Sequence, residues 1–220
     1  ETSHADLIHD WNLAGTPFRP DKPVELDDET LRDGLQGPSV TDPPIEMKVK
    51  ILHAMDALGI AYMIAGSQAS IYYGEPRFTQ DIDVVADVNA SHVQGLLASF
   101  PADEFYISEE AVREAIRIGG QFNIIHPAAG LKIDVMVKKD SPYDRVQFER
   151  RQLKTLAPEL HAYLARPEDI ILYKMLYFSE GGSDRHLRDI LGMLRIPGAS
   201  IDRRYVTEWA TRLGLGTIWE

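Results

Sequence analysis

The chain has no cysteine among its 220 residues, which removes disulfide frameworks and thiolate metal sites and leaves oxygen and imidazole groups as its possible metal ligands. No apolar run approaches the roughly 20 residues that a membrane-spanning helix needs. The N-terminus shows no basic segment followed by an apolar stretch, so the sequence predicts a cytoplasmic protein. A phosphate loop of the form G-x-x-x-x-G-K-[ST] is missing, as is a G-x-S-x-G nucleophile elbow, and Gly214 and Gly216 do not open a strand–helix–strand unit. No H-E-x-x-H or other close histidine pair occurs; His126 before Pro127 reads as a turn residue, and His186 is a candidate substrate contact. Basic charge is also scarce, with 34 acidic against 23 basic side chains and a net charge of -11. That balance disfavours a general nucleic-acid binder, whose affinity comes from neutralising phosphates.

What is present divides the chain in two. Residues 1–44 are rich in Pro, Asp and Gly, show no sustained period beyond a possible short strand at Val24 to Leu26, and read as an extended arm. From Ile45 the apolar residues Val49, Leu52, Met55 and Leu58 recur at helical spacing, and Gly59 stands where a C-terminal cap glycine belongs. IAYMIAG then reads as a buried strand, Gln68 to Tyr73 as a short helix, DIDVVADV as a strand and Ser91 to Ser99 as a helix. FNIIHP and LKIDVMVK form a hairpin around the Pro127 to Gly130 turn. Beyond Ser141 the periodicity is helical, in RPEDIILYKMLYFSE, SDRHLRDILGML and IDRRYVTEWATRLG. The predicted class is α+β: a small mixed sheet with flanking helices over about 45–140, followed by a helical part over about 141–220.

The chemistry is concentrated in carboxylates. Asp81 and Asp83 are two apart in a strand, so both side chains project from one face while Ile82 and Val84 turn to the core. Two carboxylates held together repel, and a divalent cation between them makes the arrangement favourable. In LKIDVMVK the residues Leu131, Ile133, Val135 and Val137 share one face, which leaves Asp134 on the other with Lys132 and Met136. A neighbouring strand thus offers a third carboxylate. Oxygen ligands of this kind suit Mg²⁺ or Mn²⁺ and phosphoryl or nucleotidyl transfer. Gly66 and Ser67, at a strand-to-helix turn, let backbone N–H groups approach a triphosphate. A D-x-D pair alone is commonly a pair of solvated turn carboxylates; the combination of strand, Gly-Ser, helix, D-x-D strand and later apolar strand with a central Asp is the informative pattern.

Those residues carry a resemblance. YMIAGSQASIYYGEPRFTQDIDVVADV resembles the signature of the DNA-polymerase-beta-like nucleotidyltransferase superfamily, in the form shared by minimal and toxin-type bacterial members, and the likeness runs from about Ile45 to the C-terminus. It implies that Asp81, Asp83 and Asp134 are catalytic and metal-binding, and that Gly66 and Ser67 hold the triphosphate of a donor such as ATP. RPEDIILYKMLYFSEGGSDRHLRDI is similar to the family's C-terminal helical segment, which implies that Lys174, Asp184, Arg185 and Arg188 face the nucleotide or acceptor. Read without the resemblance, Lys174 snorkels from an apolar helix and SDRHLRD is a solvated face with Ser183 as its cap. Arg77, just before the aspartates, could meet phosphates or be a surface arginine. The implied activity is transfer of an NMP from an NTP to a hydroxyl of RNA such as tRNA, protein or a small molecule, with Mg²⁺ or Mn²⁺ as cofactor. For toxin-type relatives a cognate antitoxin is the implied partner.

A second resemblance covers only about residues 8–60. VELDDETLRDGLQGPSVTDPPIEMKVKILHAMDALGI is similar to the opening of the DRE-type TIM-barrel metallolyases, of isopropylmalate and homocitrate synthase type, where by match Arg32 would polarise a keto acid and Asp33 bind a metal. A barrel needs eight strand–helix units and typically about 250 residues, and that family's late His-x-His pair is absent. The pattern implies a fusion in which the helix 45–58 is shared. Three readings follow: a nucleotidyltransferase, a non-catalytic nucleotide- or partner-binding module of the same fold, and a carbon–carbon lyase remnant.

Overall fold

The computed structural model describes residues 52–75, 79, 81–158, 160–196 and 200–220, so Arg77, the arm 1–44 with Arg32 and Asp33, and the first part of the helix 45–58 lie outside the described residues. Within them the helix α1 covers 52–57 and buries Leu52 and Met55. Gly59 closes it at φ +67°, with Gly59 N–H donating to Asp56 O and Ile60 N–H to Met55 O. That left-handed backbone is one that glycine adopts without the penalty a Cβ brings.

Strand β1 (Tyr62–Ile64) is buried at every residue. It runs into helix α2 (Gly66–Tyr73), strand β2 (Asp81–Ala86), a 3₁₀ turn with helix α3 (Val93–Ser99), and helix α4 (Glu109–Ile118). Strands β3 (Gln121–His126) and β4 (Leu131–Val137) form the expected antiparallel hairpin around Pro127–Ala129 and Gly130. Helix α5 (Pro142–Glu149), strands β5 (Gln152–Ala157) and β6 (Leu160–Leu164), and helices α6 (Pro167–Gly181), α7 (Asp184–Arg195), α8 (Arg203–Arg212) and α9 (Gly216–Trp219) complete the chain. The six strands make one mixed sheet in the order β3-β4-β2-β1-β6-β5. β2 pairs with β4 in parallel and with β1 antiparallel, and β1 pairs with β6 in parallel. The α+β class stands as expected.

Three local expectations change. The helix after β1 starts at Gly66, not Gln68, so the Gly-Ser pair forms its first turn. Helix α4 has no counterpart in the sequence reading above, although Ser108 caps it by accepting from Ala111 N–H, Glu109 and Glu110 fill its first turn, and Gly119 ends it. Strands β5 and β6 replace part of the helical run expected beyond Ser141. Leu160, Ala162 and Leu164 alternate inward in β6, and that period of two is hidden because the strand is only five residues long and alanine has little strand preference. Placing β6 beside β1 puts helix α6, which follows it directly, over the same end of the sheet as α2, and the two helices pack together.

The core lies on the sheet face to which Ile82, Val84, Ile133 and Val135 point, each at most 3% exposed. The opposite side of β2 and β4 carries Asp81, Asp83 and Val85 beside Lys132, Asp134 and Met136. Strand alternation thus separates an apolar face from a polar one, as the sequence pattern required.

Candidate active site

Parallel pairing of β2 with β4 sets Asp83 opposite Asp134 and Asp81 opposite Lys132. Neighbouring strands lie about 4.8 Å apart, so these groups form one compact patch. Asp83 is fixed from the side of β1 as well. Its backbone carbonyl accepts from Ala65 N–H at 2.8 Å, and its Oδ2 accepts from Ser67 N–H at 3.2 Å. Gly66 is what permits this approach: its φ is +54°, and a Cβ built on it would stand 1.9 Å from Asp83 Oδ2. The carboxylate fills the space a side chain would occupy. Ser70 Oγ donates to Gly66 O at 2.7 Å and ties the first turn of α2.

Lys132 plays a part that the sequence pattern does not reveal. It stands on the polar face, yet only 7% of its side chain is exposed, and its Nζ lies 3.0 Å from Asp134 Oδ2 and 3.5 Å from Asp81 Oδ2. Burial raises the proton affinity of Asp134 above the ordinary carboxylate level; the Lys132 cation opposes that shift, and the charges of Asp83 and Asp81 add to it. On the other side of Asp134, in register on β3, Asn123 keeps a buried side-chain oxygen with no hydrogen-bond partner. Buried acceptors are ordinarily satisfied, so this one calls for a donor, a water or a cation.

A cavity of about 560 Å³ opens over the patch. Gly66, Ser67, Asp83 and Asp134 line one wall, and Tyr173, Lys174 and Tyr177 of α6 and His186 of α7 line the other. Lys174 is no snorkelling surface lysine: its Nζ is 2.6 Å from Asp189 Oδ2, with side-chain exposures of 6% and 8%. Tyr173 and Tyr177 have ring centroids 6.0 Å apart, and Tyr177 and His186 5.8 Å, so aromatic surface runs along this wall. Asp184, Arg185 and Arg188 stand exposed on α7 and do not line the cavity, whereas His186 does. Ser183 occupies the N-cap position of α7 as expected but makes no side-chain cap bond.

Among the described residues no three His, Asp or Glu side chains are gathered as a ready metal cage. The donor chemistry nonetheless fits a hard divalent ion, since Asp83, Asp134 and the orphaned Asn123 oxygen are all oxygen donors in one row across β2, β4 and β3. Among the described residues no helix is long and apolar enough to cross a membrane.

No protein-family model and no curated protein matches the chain. Solved structures do. A nucleotidyltransferase-like antigenic protein from Paracoccidioides brasiliensis superposes with a TM-score of 0.50 at 21% identity, over 80% of this chain and 91% of that one. The ANT(2'')-Ia enzyme in complex with adenylyl-2''-tobramycin gives a TM-score of 0.51 at 14% identity, over 77% and 98%. The solution structure of the antibiotic-resistance factor ANT(2'')-Ia gives 0.50 at 16%, over 77% and 92%. The chain therefore shares the fold of these nucleotidyltransferase structures.

Proposed function

We propose that this chain is a metal-dependent nucleotidyltransferase that moves an NMP from an NTP to a hydroxyl of RNA, protein or a small molecule. One observation carries the reading: Asp83 and Asp134 oppose each other across β2 and β4, and both face the cavity that the Ser67 turn also lines. Carboxylates, a helix N-terminus and an open cavity of nucleotide size are what such chemistry uses.

In this reading Asp83 and Asp134 hold the metal on the cavity side, Asp81 completes the acidic cluster at its outer edge, and the Asn123 oxygen is a further acceptor beside them. A divalent ion bound there would supply positive charge to the triphosphate oxygens. The N-terminal turn of α2, at Gly66 and Ser67, positions the phosphates, and Lys174 adds a cation on the opposite wall. The acceptor oxygen attacks the α-phosphorus, the bond to the bridging oxygen of the β-phosphate breaks, and pyrophosphate leaves. Asp134, whose proton affinity burial has raised, receives the acceptor's hydroxyl proton at a carboxylate oxygen. Tyr173 and Tyr177 offer flat apolar surface against which a base or an acceptor ring can stack.

The adenylylated ligand of ANT(2'')-Ia makes ATP the first donor to test. The test is incubation with each α-labelled NTP, Mg²⁺ or Mn²⁺, and separately total RNA, protein extract and hydroxylated small molecules. Metal-dependent label in one acceptor class is the expected result, and for tRNA a cognate antitoxin becomes the partner to seek. No transfer with any donor, metal or acceptor class would leave the non-catalytic module as the reading.

A further inference from the structure

Lys132 sits two residues before Asp134 on β4 and in register with Asp81 on β2, with its ammonium 3.0 Å from the first and 3.5 Å from the second. A buried ammonium is costly unless paired. Carboxylates aligned on one sheet face repel one another. Each feature relieves the other, and the resulting cluster has two sides. Asp83 and Asp134 line the cavity, whereas Asp81 and Lys132 do not. The inner edge is thus open to a ligand, and the outer edge is closed by a cation belonging to the protein.

We propose that Lys132 is the resident counter-ion and positioning residue of this site, filling the cation position between Asp81 and Asp134. It leaves a single divalent-ion position on the cavity side, at Asp83 and Asp134. Its charge also weakens the pull of Asp134 on that ion, so the metal-free protein stays folded and metal is bound loosely until a triphosphate brings further oxygens. The inference rests on the nucleotidyltransferase reading, but it concerns metal binding that is measurable without a nucleotide.

Calorimetric titration of the nucleotide-free protein with Mn²⁺ tests it. The wild type is expected to bind one ion. Lys132→Met, which keeps most of the buried stem and removes the charge, is expected to bind the first ion roughly tenfold tighter. Its metal-free melting temperature should fall below the wild type's, and Mn²⁺ should raise it by more. Lys132→Arg retains a cation and keeps the looser wild-type affinity. Should Lys132→Met not fold without metal, adding Asp81→Asn removes the other member of the outer pair and is expected to restore folding. Two ions or none bound to the wild type, no tightening in Lys132→Met, or no rescue of an unfolded Lys132→Met by Asp81→Asn overturns the role given to Lys132. If instead these metal results hold while the wild type transfers nothing, the nucleotidyltransferase reading falls and the counter-ion role stands.

Discussion

The Cβ that Gly66 lacks would lie 1.9 Å from Asp83 Oδ2, so the first residue of α2 and the central carboxylate of β2 share one space. Gly66→Ala is therefore expected to act twice, through its left-handed backbone and by expelling Asp83 from its place against Ser67 N–H. Gly59→Ala is the control, because Gly59 also has positive φ but nothing lies within 4 Å of its missing Cβ. Gly59→Ala should cost about 1 to 2 kcal/mol of stability and leave nucleotide transfer intact. Gly66→Ala should cost at least as much and also lose transfer. Equal transfer in both variants, measured beside their urea midpoints, would show that Asp83 tolerates displacement.

The Lys174–Asp189 pair joins α6 to α7 with little exposure on either side chain. Removing one member of a buried pair typically costs about 3 to 5 kcal/mol, whereas replacing both by apolar groups is far milder. Lys174→Met or Asp189→Leu alone should thus lower the unfolding free energy strongly, and the double variant should recover most of the loss. A double variant no more stable than the weaker single one contradicts this account of the α6–α7 contact.

Asp169 has no exposed side-chain surface and accepts from Tyr205 Oη at 2.7 Å and Arg150 Nε at 3.2 Å. Burial still pushes its proton affinity up, with those two partners opposing. A carboxyl group whose folded pKa lies above its unfolded value contributes stability below the unfolded pKa, near 3.9, and loses it as pH rises through the folded value. The stability advantage of the wild type over Asp169→Asn should therefore be largest near pH 4 and shrink toward neutrality. Urea titrations of both proteins between pH 4 and 7 check this; an advantage that grows with pH would mean that the Arg150 pair outweighs burial.

The carboxylates of the site were legible because period-two alternation fixes which residues of a strand share a face, and Asp81, Asp83 and Asp134 interrupt two otherwise apolar strands. The Gly-Ser turn was legible from its place after a short apolar strand. Lys132 was visible on the same face as Asp134, but its burial was not, since its pairing with Asp81 depends on the parallel register of strands about fifty residues apart in sequence. The same limit hid the seat of β6 beside β1, which decides that α6 rather than α7 forms most of the far wall. Asp184, Arg185 and Arg188 share a helix with His186, and only the helix's rotation, set by packing, separates exposed residues from the one that lines the cavity. Asn123 carried no signal, because an asparagine in a strand becomes notable only once its oxygen is found without a donor.

The most direct measurement of the central claim is metal-dependent transfer from an α-labelled NTP by the wild type and by Asp83→Asn and Asp134→Asn, each monitored by thermal melting. Asp83→Asn relieves repulsion among neighbouring carboxylates, so a melting temperature at or above the wild type's is expected. Asp134→Asn also takes the nearer partner from the buried Lys132 and should melt lower. Transfer should fall at least about a hundredfold in both. Full transfer by either folded variant would contradict the role assigned to the opposed pair on β2 and β4.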